Sequence, residues 1–266
     1  MPRLGMGTWH MGESARSRAA EVAALRLGLE LGMTLIDTAE MYGEGGAERV
    51  VGEAIRGRRD EVYLVTKFYP NHASRRDLPG ACDASLGRLG VDAIDLYLLH
   101  WRSSVPLEET VETLERLREA GRIRRWGVSN FDVADMEECV ALPGGKRIAA
   151  NQVLYNLARR GIEYDLLPWC AGRSIAVMAY SPLDEGALVA HPALGNVARR
   201  LGTTAAQVAL AWLLRDPRVA VIPKASSREH VRANAAAREL QLDAPSLAEL
   251  DRAFPPPRRK RRLEII

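Results

Sequence analysis

Short apolar runs rich in β-forming residues recur at 4–9, 35–36, 62–65, 94–99, 123–128, 150–154, 175–179 and 219–222. Runs with little polar alternation suit strands buried on both faces, as in a parallel sheet covered by helices. Between them apolar residues repeat at helix spacing: Val22, Leu25 and Leu29; Val111, Leu114 and Leu117; Val208, Leu210 and Leu214. Strand and helix therefore take turns along the whole chain. Eight such runs, at ~33 residues per repeat, predict a closed (β/α)₈ barrel in one domain spanning 1–266. The alternative, an open doubly wound sheet, would need a G-x-G-x-x-G after its first strand. None is present, and Gly43, Gly45 and Gly46 follow an acidic strand end instead of opening a phosphate-binding helix.

Local signals mark several boundaries. Thr203-Thr204 supplies a cap for the helix through Leu214, Gly121 closes the helix that begins near Leu107, and Pro217 stops the one ending at Arg215. Pro255-Pro256-Pro257 ends the last helix and leaves a short basic tail, 255–266.

Composition narrows the function classes. Hydrophobic residues at 47% and charged residues at 27% describe an ordinary globular protein without low-complexity tracts. The net charge of +3 is small. The only concentrated charge is Arg258, Arg259, Lys260, Arg261 and Arg262, read as a solvated tail lying on the barrel and not as a nucleic-acid site. Cys82, Cys139 and Cys170 are odd in number and widely spaced, which predicts a reducing compartment and no metal site. No run approaches the ~20 apolar residues of a membrane span, and residues 1–7 lack a signal-peptide core, so the expectation is a cytoplasmic protein.

A parallel barrel carries its chemistry at the carboxyl ends of its strands. Asp37 follows the run 35–36, with Tyr42 in the loop beyond; Lys67 follows 62–66, and His100 follows 94–99. Taken singly, such an Asp reads as a turn or cap residue, the Tyr as packing and the Lys as surface charge. Three successive strands ending on ionisable groups read differently, because neighbouring strand ends lie close together and converge on the mouth. An ammonium beside Tyr42 would stabilise its phenolate and lower its pKa, making it a better proton donor. A carboxylate at Asp37 would oppose the loss of charge that burial imposes on Lys67. His100, expected neutral, would hydrogen-bond and orient a carbonyl oxygen.

The ordered segments Gly5-Met6-Gly7-Thr8-Trp9, Ile36-Asp37-Thr38-Ala39-Glu40-Met41-Tyr42-Gly43, Thr66-Lys67 and Leu98-Leu99-His100-Trp101 go further. With Gly127-Val128-Ser129-Asn130-Phe131, Asn151-Gln152, Ala179-Tyr180-Ser181-Pro182-Leu183 and Ile222-Pro223-Lys224, the chain resembles the aldo-keto reductase family from Leu4 to about Phe254. The resemblance implies reduction of aldehydes or ketones with NADPH, with NADH as the alternative cofactor. It places catalysis on Asp37, Tyr42, Lys67 and His100. It also implies that Ser129, Asn130 and Gln152 hold the nicotinamide carboxamide and that Tyr180 stacks on the ring. Ser181, Leu183, Lys224, Ser226 and Asn234 fall at positions around the pyrophosphate and adenosine, and Gly7, Thr8 and Trp9 belong to the same cofactor surface.

Two departures matter. Where relatives often carry an Arg for the adenosine 2′-phosphate this chain has His230, mostly neutral at pH 7, although Arg228 and Arg232 are close in sequence. The resemblance also leads us to expect that the extra N-terminal hairpin of many members is either absent here or trimmed from the start. Trp9 and Trp101 are expected to wall the substrate site beside Tyr42 and His100, with His10 at the rim. The short C-terminal segment predicts an open pocket suited to small reactive carbonyls such as methylglyoxal, to aromatic aldehydes or to keto-sugars. A monomer is expected. Two other functions fit a barrel with these residues: a lyase in which Lys67 forms a Schiff base, and a non-enzymatic nucleotide-binding auxiliary subunit.

Overall fold

In a computed structural model that describes all 266 residues, the apolar runs form one parallel sheet of eight strands in sequence order. They are β1 (Gly5–Gly7), β2 (Leu35–Asp37), β3 (Tyr63–Phe68), β4 (Ile94–Leu99), β5 (Ile123–Ser129), β6 (Ala150–Leu154), β7 (Ala176–Tyr180) and β8 (Val219–Val221). Bridges from Leu4 to Val221 and from Gly7 to Lys224 bring β8 back to β1. The Gly7 N–H donates to Pro223 O at 3.1 Å, and the Val221 N–H to Arg3 O at 2.7 Å. The sheet is thus a barrel.

Helices wrap its outside: α1 (Arg18–Glu30), α2 (Gly46–Ala54), α3 (Leu78–Leu89), α4 (Leu107–Glu119), α5 (Val133–Ala141) and α6 (Leu166–Ala171). After β7 come two, α7 (Pro192–Leu201) and α8 (Ala205–Leu214), and after β8 two more, α9 (Arg228–Ala236) and α10 (Ala244–Ala253). Thr204 caps α8 in a reciprocal box with Gln207.

Period-two alternation divides the strand side chains between two cores. Leu35, Val65, Leu96, Leu98, Ala150, Met178, Ala220 and Ile222 pack together inside the barrel. The opposite faces join the helices in a separate cluster of 61 buried residues. The run 4–9 yields only three strand residues, because the chain turns at Thr8, whose carbonyl accepts from Met11 N, and passes through a left-handed His10 (φ 62°). Lys67, expected beyond its strand, is the penultimate residue of β3.

Candidate active site

The interior alternation decides which side chains reach the mouth. Two residues beyond an interior apolar side chain the next one points inward again. The step leads from Leu35 to Asp37, Val65 to Lys67, Leu98 to His100, Ala150 to Gln152 and Met178 to Tyr180. Polar groups thus cap a dry barrel core at the carboxyl ends of β2, β3, β4, β6 and β7.

Lys67 is at the centre and fully buried. Its ammonium donates to Asp37 Oδ2 at 2.8 Å, to the Thr38 carbonyl at 2.9 Å and to the Tyr42 hydroxyl oxygen at 3.0 Å. An ammonium has three hydrogens, so all are committed. The other Asp37 oxygen accepts from Gln152 Nε2 across the barrel at 2.7 Å. Burial acts to drive Lys67 neutral, but Asp37 and Tyr42 together outweigh it and its pKa lies above the ordinary value. Burial also raises the Asp37 carboxyl against the opposing pull of Lys67 and Gln152.

Tyr42 departs from the expectation of a lowered pKa. Burial is the largest influence on the phenol and raises it, and Asp37 adds to the rise; Lys67 pulls downward without prevailing. The phenol is therefore protonated at neutral pH, and Lys67 acts by favouring the phenolate that would follow proton loss. His100 is held neutral, its pKa pushed down to about 2 by burial and then by the nearby Lys67 charge. Its Nδ1 is buried without a partner in the protein.

Aromatic rings surround this group. Trp9 meets Tyr42 edge-on at 4.8 Å between centroids, Tyr42 meets His100 at 5.8 Å, and Trp101 tilts against His100 at 5.0 Å. Both tryptophans keep about two-fifths of their surface exposed, at 42% and 38%. His10 packs on Trp9 and pairs with Glu13 at the rim.

The second set of expected residues lies at the ends of β5, β6 and β7. Ser129 Oγ donates to the Gln152 carbonyl at 2.8 Å, and Asn130 Nδ2 to the His100 carbonyl at 3.2 Å. The Tyr180 hydroxyl donates to Asn130 Oδ1 at 3.0 Å. Asn130 and Ser181 have left-handed backbones, φ 61° and 45°, so the chain turns sharply where each strand reaches the mouth. Thr8 is buried and spends its hydroxyl on the Asp37 carbonyl at 3.0 Å, while Gly7 pairs with Asp37 in the sheet. Leu183 lies in the turn after β7. Lys224, Ser226 and His230 are exposed around the start of α9, and Asn234 is buried within that helix. Ser227 caps α9 through the His230 N–H, and neither Lys224 nor Arg228 has a carboxylate partner.

The C-terminal tail alters the expected openness. Lys260 pairs with Asp165 at 3.2 Å and Glu264 with Arg159 at 3.0 Å. The backbone of Ile266 lies against the Tyr180 hydroxyl, so the tail covers part of the mouth.

Two buried glutamates in this region, Glu40 and Glu48, escaped the sequence reading. Glu48 had a visible signal: it falls on the same helical arc as Ala47, Val50, Val51 and Ala54, where a charge is out of place unless it is paired.

Fold and geometry together define a (β/α)₈ barrel with a hydrogen-bonded cluster of ionisable side chains at its C-terminal mouth. Residues 3–254 match the model of the Aldo/keto reductase family. The chain belongs to that family. It is 52% identical to methylglyoxal reductase YeaE of Escherichia coli K12 over 271 residues, covering 100% of this chain and 95% of that protein. It is 32% identical to methylglyoxal reductase DkgB of Escherichia coli O157:H7, covering 92% of this chain and 90% of that one. Among solved structures, an aldo/keto reductase from Klebsiella pneumoniae in complex with NADP and acetate superposes with a TM-score of 0.98 at 54% identity. The match covers 100% of this chain and 96% of that one.

Proposed function

We propose that the protein reduces small reactive aldehydes and ketones to alcohols with NADPH, Tyr42 delivering the proton to the carbonyl oxygen. The observation that carries this reading is the hydrogen-bond count at Lys67. Because its third hydrogen goes to the Tyr42 oxygen, that oxygen accepts inward and its own hydrogen is left to donate elsewhere. Lys67 then stabilises the phenolate left behind, and Asp37 keeps Lys67 charged. His100, neutral, offers a ring N–H to the same carbonyl oxygen and fixes its direction.

The residues present fit a nicotinamide dinucleotide. The unpartnered His100 Nδ1 marks a polar, protein-unsatisfied spot at the mouth, and Lys224 and Arg228 offer unpaired charge for a phosphate beside the N-terminus of α9. When bound, NADPH supplies a hydride to the carbonyl carbon. Ser129, Asn130 and Gln152 would hold its carboxamide, and Tyr180 would back the ring. Ser181 and Leu183 would meet the pyrophosphate, with Lys224, Ser226, His230 and Asn234 at the adenosine end and Gly7, Thr8 and Trp9 on the adjoining β1 segment. Trp9 and Trp101 wall the carbonyl substrate.

Methylglyoxal is the substrate to test first, because two relatives, YeaE and DkgB, are methylglyoxal reductases and the aromatic wall suits a small carbonyl. In this reading the protein is a monomer of one domain with a basic tail. The three unpaired, buried cysteines support a cytoplasmic setting. Schiff-base chemistry is disfavoured because Lys67 stays charged with every hydrogen engaged; an amine nucleophile must be neutral.

The experiment is loss of NADPH absorbance with methylglyoxal for the native protein and Tyr42→Phe. The variant is expected to lose about 10²- to 10⁴-fold in kcat while binding NADPH with nearly native affinity in a fluorescence titration. Retained turnover would remove Tyr42 as the donor. A borohydride-trapped adduct on Lys67 would favour the lyase.

A further inference from the structure

Tyr42 is on a loop, yet its hydroxyl must hold a fixed place relative to a lysine on another element. The loop from β2 to α2 is attached to β3 at points on both sides of Lys67. On the near side of the loop, the Glu40 N–H donates to the Lys67 carbonyl at 3.1 Å. The Glu40 carboxylate accepts from the Tyr69 N–H at 2.5 Å and from His72 Nδ1 at 2.9 Å. On the far side, Glu48 accepts from the Thr66 hydroxyl at 2.6 Å. Tyr42 lies between these two glutamates in sequence, and Lys67 lies between Thr66 and Tyr69.

One side chain on α3 links both anchors. Arg88 Nε donates to Glu48 Oε2 at 2.5 Å, and its Nη2 lies 3.8 Å from Glu40 Oε2. Glu40 and Glu48 are only 8% and 0% exposed, so without Arg88 two neighbouring buried carboxylates would keep their hydrogen bonds from Tyr69, His72 and Thr66 but lose the guanidinium charge between them. The loop makes room for the arginine. Gly45 has φ +80°, and a Cβ there would come within 2.5 Å of Arg88 Cδ.

We propose that Glu40, Glu48 and Arg88 form a bracket that positions Tyr42 against Lys67, with Glu40 as the positioning residue nearest the chemistry. This rests on the reading of Tyr42 as proton donor. The bracket touches neither the carbonyl substrate nor the cofactor surface described above; it acts by holding the loop to β3. Loosening it lengthens the Tyr42–Lys67 contact, so the phenolate formed on proton transfer loses part of its counter-charge. A misplacement of this kind lowers turnover without a matching loss of binding.

Glu40→Ala removes the acceptor for the Tyr69 N–H, whereas Glu40→Gln keeps an oxygen at the same place. Glu40→Ala is expected to lower kcat for methylglyoxal by about 10- to 100-fold and to leave the NADPH dissociation constant within about twofold of native. The alkaline limb of its kcat profile should move to higher pH, because Tyr42 would have lost stabilisation of its phenolate. Glu40→Gln should recover most of the turnover and the native limb. If Glu40→Ala does not fold, Arg88→Met, at a side chain 20% exposed, carries the same expectation for kcat, the limb and NADPH binding. An unchanged limb, an equal loss of NADPH affinity, or a Glu40→Gln as impaired as Glu40→Ala would overturn the proposal. Tyr42→Phe keeps the two failures apart. If it abolishes reduction while Glu40→Ala does not impair it, only the bracket fails; if it leaves reduction intact, the donor assignment fails first.

Discussion

At the scale of single residues, the mouth is a contest between burial and pairing. Lys67 keeps its charge because Asp37 and Tyr42 face it, and Tyr42 keeps its proton because burial outweighs the lysine. Only the protonated phenol can donate, so kcat for reduction should be flat through neutral pH and fall on the alkaline side, above the ordinary tyrosine value of about 10. A pH profile that already falls near neutrality would contradict this. His100 gives a stability effect of defined sign. Its folded pKa, about 2, is below the ordinary histidine value; the unfolded chain therefore binds the extra proton between the two. The contribution is fully present above roughly pH 6.5 and is lost as pH falls below it. Chemical denaturation of His100→Gln should show a shallower acid loss than the native protein. Lys224→Ala should weaken NADPH much more than NADH, since only the former carries the 2′-phosphate; equal losses would place Lys224 elsewhere.

At the scale of elements, strand position was more legible than strand extent. The apolar runs located all eight strands, because a strand covered on both faces admits few polar residues. They could not tell where pairing stops. Thr8 and Trp9 look like strand residues, yet β1 ends at Gly7 because the Thr8 hydroxyl is drawn to the Asp37 carbonyl and the chain turns at His10. Helices were legible where an apolar stripe or a cap was strong, as for α1, α4 and α8. The pair α9 and α10, amphipathic and mixed with charge, carries a weaker signal. Close packing between elements gives a further prediction. Gly127 on β5 faces Ala150 on β6, and a Cβ there would approach the Ala150 carbonyl oxygen to 2.4 Å. Gly127→Ala should cost about 1–3 kcal/mol in chemical denaturation and also lower NADPH affinity, because Ser129 and Gln152 are carried by the same two strands. A variant as stable as native would mean that the strands yield without strain.

For the whole molecule, the charge pattern and the cavities separate surface from site. A cavity of about 700 Å³ is on the outer wall and is lined by Arg18, Arg49, Arg56, Arg59 and Arg88 among others. None of Asp37, Tyr42, Lys67 and His100 lines it. Cys82, Cys139 and Cys170 are buried and unpaired, each thiol pushed up to about 12, chiefly by burial. Native protein should therefore react slowly with a thiol reagent and release three equivalents on unfolding; rapid labelling without denaturant would show that the barrel opens locally. No helix is long and apolar enough to cross a membrane.

The sequence by itself determined the alternation of strand and helix, the barrel, and the meeting of Asp37, Tyr42, Lys67 and His100 at one mouth, because each depends on local apolar periodicity or on a residue type at or just beyond a strand end. Tertiary structure alone decided the direction of the Tyr42 shift, the contact between Gln152 and Asp37, and the tie of Glu40 and Glu48 to β3 through Arg88. Those depend on desolvation and on distances between segments far apart in the chain, quantities that exist only once the barrel has closed.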